Sequence, residues 1–193
     1  MELKVELLEH PFYQAWKAGD VTVEQLSEYA EAYQELMDQI PELWAHVVEE
    51  LGLGEQGREV VAEETEHAQL WTDWRMVLPA PEDAPRLDDL LSALAEMNAS
   101  ELAGALHAYE VQQPDVAETK REGLLEYYGF DEDQVEFFDE HAENEDEHIA
   151  LGEYVREHAA DREAFDRGFE RGARLIYDSL DQFQREDAEP STC

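Results

Sequence analysis

Apolar residues recur at spacings of three and four along almost the whole chain, and no stretch alternates apolar with polar residues over the length of a strand. That period puts apolar side chains on one stripe of a helix, so an all-α fold is expected. One stripe is unusual. Phe138, His141, Glu145, His148, Gly152 and Val155 follow one another at three- and four-residue steps, and the middle of this apolar seam is His-Glu-His. At about 100° per residue, Glu145 lies roughly 40° and His148 roughly 20° from His141 around a helix axis, so the three side chains form one cluster.

The same anomaly appears in two other seams. Val60, His67, Leu70, Trp71 and Trp74 mark an apolar stripe, with Glu63 and Glu64 one turn before the histidine, and Leu102, Leu106 and Tyr109 lead to Glu110. Burying ionised carboxylates costs several kcal/mol each unless they are paired or bind a cation. Lys and Arg total only 13 against 50 Asp and Glu. Two metal ions held by carboxylates and imidazoles from facing helices are the economical solution, as in bundles that hold di-iron or di-manganese centres. With so many acids, Glu63 or Glu64 ahead of His67 is a weak signal alone, and the competing reading of the His-Glu-His trio is a solvated face or helix-packing histidines. His10, His46, His107 and His158 lack such grouping and are expected to pack or lie on the surface.

The formal charge is -37, yet 43% of the residues are hydrophobic and 10% aromatic, so the chain is expected to fold rather than form an acidic tail. Such a charge repels phosphate backbones and anionic lipids, which argues against nucleic acid and membrane as partners. Acids spread along the whole sequence point to a surface adapted to high salt, a halophile's trait. Cys193, the single cysteine, fits a reducing cytoplasm, and "MELKVELLEHPF" lacks the features of a signal peptide. No Ser-His-Asp set and no phosphate-cradling loop is recognisable, since "GLGEQG" lacks a preceding strand and a Lys-Ser/Thr ending.

Seven to eight helices are expected within one domain over 1–185, followed by a frayed tail at 186–193. Thr22 and Gln25 form a capping box for a helix that runs towards Glu50 with a bend at Pro41, and the next helix reaches about Leu78. Asp115, Asp131 and Asp161 are expected to start later helices, with the trio's helix running on from Asp131.

These residues resemble the heme-oxygenase-like dimetal oxidases, which share the fold of the thiaminase and pyrroloquinoline-quinone-synthase enzymes. Within that family the resemblance is to the branch typified by the chlamydia protein associating with death domains. Its carriers are "HPFYQAWKAGDVTVEQLSEYAEAY", "EETEHAQLW", "YEVQQPDVAETKREGLLEYYGF" and "EHAENEDEH", in the family's order and with nearly all of its spacings, from His10 to about Phe183. The resemblance implies a heme-oxygenase-like bundle and two transition-metal ions, Fe/Fe or Fe/Mn. By position it puts metal ligands at Glu63, His67, Glu110, His141, Glu145 and His148. This chain is about three residues shorter than its relatives between the Glu pair and His67, which leaves Glu64 as an alternative to Glu63, and Glu145 stands where the nearest relatives have Asp.

The resemblance further implies an oxygen-dependent, self-sacrificing synthesis of para-aminobenzoate for folate, with molecular oxygen as co-substrate. Tyr13 falls at the position of the tyrosine that gives up its ring and Lys120 at that of the lysine that supplies the amino group, while Tyr29 and Tyr33 match aromatic positions beside them. The implied partners are small molecules and oxygen, with a homodimer the assembly considered. The alternatives are a dimetal oxidase of the same fold acting on a free amino acid or fatty acid, and a non-enzymatic interaction protein.

Overall fold

The Thr22 hydroxyl accepts from the Gln25 amide while the Gln25 side-chain oxygen accepts from the Thr22 amide, and this reciprocal cap opens the longest helix among the described residues. In the computed structural model, which describes residues 1–143 and 145–184, that helix is α2, Val23–Leu51. It follows α1, Pro11–Ala18, from which it is separated by Gly19 in the left-handed region at φ 75. The helix continues through Pro41 and ends at Gly52. Then come α3, Gly54–Val77; α4, Asp88–Ala95; α5, Ala99–Glu110; and α6, Gln113–Tyr127. They are followed by α7, Glu136–Glu143; α8, Asp146–His158; and α9, Arg162–Ser179. Short 3-10 turns occupy Leu7–Glu9, Glu132–Gln134 and Leu180–Phe183, and there is no strand among the described residues. The expected all-α architecture is what the chain forms, and the expected tail at 186–193 lies outside the described residues.

Two helix starts differ from expectation. The helix assigned to Asp115 begins earlier, at Gln113, because Pro114 occupies its first turn, where a missing N–H is harmless and φ is already helical. The helix expected to run on from Asp131 is interrupted twice. The Asp131–Gln134 capping box forms but opens only a 3-10 turn, and after Glu136–Glu143 the chain is in a turn at Glu145 before the next helix begins at Asp146. The restart makes Asp146 and Glu147 first-turn residues, where the helix dipole favours carboxylates. With α7 and α8 taken as one interrupted helix, the described residues contain eight.

Helix α5 is apolar on nearly every side and is accordingly buried, packed against α9, α2 and α8. Small residues let α5 and α9 meet backbone to backbone: a Cβ on Gly168 would lie 1.9 Å from the Glu101 carbonyl oxygen, and one on Gly104 2.0 Å from that of Phe165. Helix α3 runs beside α2 and touches α7 and α8, so α2, α3, α5, α7 and α8 enclose one interior. No described helix is long and apolar enough to cross a membrane.

Candidate metal centre

The three polar seams converge in that interior. Glu64 and His67 come from α3, Glu110 from the last residue of α5, His141 from α7, and Glu145 and His148 from the start of α8. They fall into two sets. One ligand atom from each of His67, His141 and Glu145 lies within 4.8 Å of the others, and the same holds for Glu64, Glu110 and His148. The sets abut: the His67 and His141 rings are 4.3 Å apart, His67 and His148 5.6 Å, and His148 Nδ1 lies 3.5 Å from Glu145 Oε2.

The structure separates the two glutamates that the sequence leaves as alternatives. Glu64 is buried, with 6% of its side chain exposed, and its Oε1 lies 3.1 Å from His148 Nδ1. Glu63 is 43% exposed and belongs to neither set; its Oε2 lies 2.9 Å from the other ring nitrogen of His148, Nε2. Glu63 and His67 also line an acidic surface cavity of about 680 Å³ together with Glu66, Glu136, Glu143 and Asp146.

The protonation balance of the cluster shows what it lacks. Burial, together with the Glu110 charge, pushes the Glu145 carboxyl well up, whereas His148 and His67 outweigh burial at Glu64 and hold that carboxyl down. Burial by itself would lower His148, but Glu110 and Glu64 hold it charged, and burial pushes His141 down to about 3. The charged His148 ring thus faces Glu64 and Glu110 together. Both Glu145 oxygens, His67 Nδ1 and His148 Nδ1 are buried without a hydrogen bond. Buried polar atoms are normally satisfied, so a group of orphans made of carboxylate and imidazole atoms fits the binding of divalent cations. His141 Nδ1 lies 2.7 Å from the Phe137 carbonyl, which leaves Nε2 facing the cluster, and the Trp44 indole N–H donates to Glu110 Oε1 at 3.2 Å.

A second group of site candidates sits in an aromatic box made by α1, α2, α3, α6 and α7. Tyr13 and Tyr29 share a hydrogen bond of 3.1 Å, and Lys120 Nζ donates to the Tyr29 hydroxyl at 2.8 Å. Lys120 Nζ also lies 5.2 Å from the Tyr13 ring centroid, 5.9 Å from that of Trp71 and 5.8 Å from that of Phe138. The box is buried, and burial pulls the Lys120 ammonium down to about 7 and raises both phenols above their usual range. Tyr33 packs against Tyr29 with ring centroids 4.6 Å apart and tilted by 39°, but its hydroxyl bonds to that of Ser179, outside the Lys120–Tyr29–Tyr13 chain.

Sequence reasoning does not single out Tyr109. Its phenol is raised by burial and then by the charges of Glu110, Tyr13, Glu64 and Glu145, and its hydroxyl lies 4.0 Å from Met37 Sδ. The available signal is its position on the third seam, next to Glu110. Nor does sequence reasoning find Trp44, which as an aromatic on an apolar stripe looks like ordinary core.

A family described as iron-containing redox enzymes matches residues 33–180 of this chain. The chain is also similar to a 4-aminobenzoate synthase of Nitrosomonas europaea, 36% identical over 163 residues that span 70% of this chain and 66% of that protein. It is 28% identical over 206 residues to a 4-aminobenzoate synthase of Chlamydia muridarum, covering 97% of this chain and 86% of the relative. A third 4-aminobenzoate synthase, from Chlamydia trachomatis, is 29% identical over 210 residues.

Proposed function

The chain belongs to the iron-containing redox enzymes, a family of oxidoreductases with a heme-oxygenase-like helical bundle, and from that premise we propose that it makes 4-aminobenzoate by consuming its own Tyr13 with Lys120 as amino donor. The activity of the relatives supplies the product, and one observation carries the rest: Lys120 Nζ, Tyr29 Oη and Tyr13 Oη form a continuous buried hydrogen-bonded chain, with Nζ 5.2 Å from the Tyr13 ring.

The chemistry of the product favours this pairing. The side chain of tyrosine and 4-aminobenzoate share a para-substituted ring bearing one carbon. The conversion breaks Cα–Cβ and oxidises Cβ to a carboxylate with molecular oxygen as the electron acceptor, while the nitrogen leaves Lys120 by cleavage of its Cε–Nζ bond and takes the place of the phenol oxygen, which departs as water. A lysine supplies that nitrogen only as the free amine, and a Lys120 held near 7 by burial provides it at neutral pH. Tyr29 accepts from Lys120 and shares a hydrogen bond with the Tyr13 hydroxyl, which holds the two reactants on either side of one phenol. The aromatic walls keep water from the box.

Glu64, Glu110 and His148 would hold one metal ion and His67, His141 and Glu145 the second. When bound, the pair supplies the activation of molecular oxygen and the redox equivalents that the conversion of tyrosine requires. Iron in at least one position accords with the family.

The test is intact mass combined with product assay. Protein reconstituted anaerobically with ferrous iron, with and without manganese, is exposed to air, and 4-aminobenzoate is measured beside the protein mass. Loss of the Tyr13 side chain with about one product per chain is expected, and neither Tyr13→Phe nor Lys120→Arg should release product. An unaltered Tyr13 together with oxidation of an added amino or fatty acid would establish the free-substrate oxidase instead.

A further inference from the structure

We infer that Glu63 is a positioning residue, not a metal ligand: it accepts the Nε2 proton of His148 and so directs Nδ1 of that ring, the atom free to ligate once its own proton is displaced by a metal ion, towards Glu64 and Glu110. The inference rests on the two-metal reading above and deepens it.

The geometry divides the faces of His148 between two carboxylates on consecutive residues of α3. Nε2 has Glu63 Oε2 at 2.9 Å, a normal hydrogen bond, while Nδ1 has Glu64 Oε1 at 3.1 Å and Glu110 Oε2 at 3.8 Å without hydrogen-bond geometry. Consecutive residues on a helix point about 100° apart, so α3 can present one carboxylate inside the cluster and its neighbour around the ring's outer edge. A histidine that ligates through one nitrogen nearly always donates its other N–H to an outer acceptor, which fixes the tautomer and the ring plane. Glu63 is the acceptor in place for His148.

The second set offers a comparison within the same molecule. His141 has a neutral outer partner, the Phe137 carbonyl, on Nδ1, and its Nε2 faces Glu145 at 3.7 Å. His148 has a carboxylate instead. A charged acceptor makes an imidazole a stronger donor to a cation, so the position formed by Glu64, Glu110 and His148 combines two carboxylates with the more basic ring. The two positions are therefore unequal, and Glu63 adds to the difference from outside.

Because Glu63 stands at the acidic surface cavity and is partly exposed, replacing it does not open the core. Glu63→Gln keeps an oxygen that can accept from Nε2, as the Phe137 carbonyl does for His141, whereas Glu63→Ala leaves no acceptor. Metal-free wild type, Glu63→Gln and Glu63→Ala are titrated with zinc, a redox-inert diamagnetic probe, and bound metal is counted. Nitrogen-15 spectra of the zinc-loaded proteins report which nitrogen of His148 carries the proton.

Wild type is expected to bind two zinc ions with His148 protonated on Nε2. Glu63→Gln should keep both ions and that tautomer, and Glu63→Ala should bind one ion about 10- to 100-fold more weakly and lose the fixed tautomer. If Gln loses an ion as completely as Ala, Glu63 is itself a ligand and the inference fails while the metal pair stands; if Ala matches wild type in both readouts, Glu63 has no role. Wild type that binds no pair of ions overturns the metal reading and this inference with it.

Discussion

At the scale of single residues, the most consequential side chain is Lys120, a lysine without a carboxylate partner in a box of rings. Its ammonium titrates near 7 in the fold against 10.5 in an unfolded chain. Between those values the unfolded state binds the extra proton, so the Lys120 contribution makes stability rise with pH, and below about 7 the full cost of burying a cation is present. A depression of that size corresponds to on the order of 5 kcal/mol. Lys120→Met should therefore raise the melting temperature clearly at pH 6 and progressively less towards pH 10. A uniform gain across that range would show that the amine is not titrating in the fold. Product formation in wild type should follow the opposite side of the same equilibrium, increasing through about pH 7 as the amine loses its proton and then levelling. Trp44 gives a second case. Trp44→Phe removes the indole N–H and part of the buried ring, so Glu110 Oε1 loses its donor beside a small cavity; unfolding by denaturant should show a loss of at least about 1–3 kcal/mol in the metal-free protein, and two-metal occupancy should fall.

At the scale of elements, the period of apolar residues is what makes this fold readable, because a helix that buries one stripe writes that stripe at three- and four-residue steps. The same signal has limits that this molecule illustrates. Glu63 and Glu64 both fall within about one turn of His67, so spacing alone cannot say which enters the cluster; the packing of α3 against α8 decides it. The interruption between α7 and α8 leaves no mark, because His141, Glu145 and His148 fit an unbroken helix and the restart at Glu145 uses no side-chain cap. Tyr109 and Trp44 stand on apolar stripes where aromatics are ordinary filling, and their polar tips acquire meaning only once Glu110 is beside them. The contact of α5 with α9 bears directly on the site, since α5 ends in Glu110. Gly168→Ala would put a methyl 1.9 Å from the Glu101 carbonyl, a clash that only helix displacement can relieve. A loss of roughly 1–3 kcal/mol or more is expected from overpacking. Because displacement of α5 carries Glu110 with it, metal occupancy in the folded fraction should drop as well. Unchanged zinc stoichiometry in a destabilised Gly168→Ala would show that α9 supports the fold without setting the site.

At the scale of the whole molecule, two kinds of negative charge coexist and should respond to salt in different ways. The net charge of -37 is mostly on the surface, where pairs such as Arg86 with Glu35 and Asp88, or Lys4 with Glu170, are exposed and individually worth little. Thirteen basic residues cannot offset fifty acids, so self-repulsion opposes compaction until salt shortens its range from about 10 Å at 0.1 M to about 3 Å at 1 M. The melting temperature of the metal-free protein should accordingly climb from low to molar potassium chloride and level once screening is complete. The carboxylates of the metal centre are buried within a few ångströms of their partners, where dissolved salt screens far less. Metal binding adds stability through its own free-ion equilibrium. The increment in melting temperature on loading zinc should therefore persist at molar salt, on top of the salt-raised baseline. If molar salt replaces the zinc increment instead of adding to it, the stabilising ions are acting on the surface charge, and the buried cluster is not where they bind.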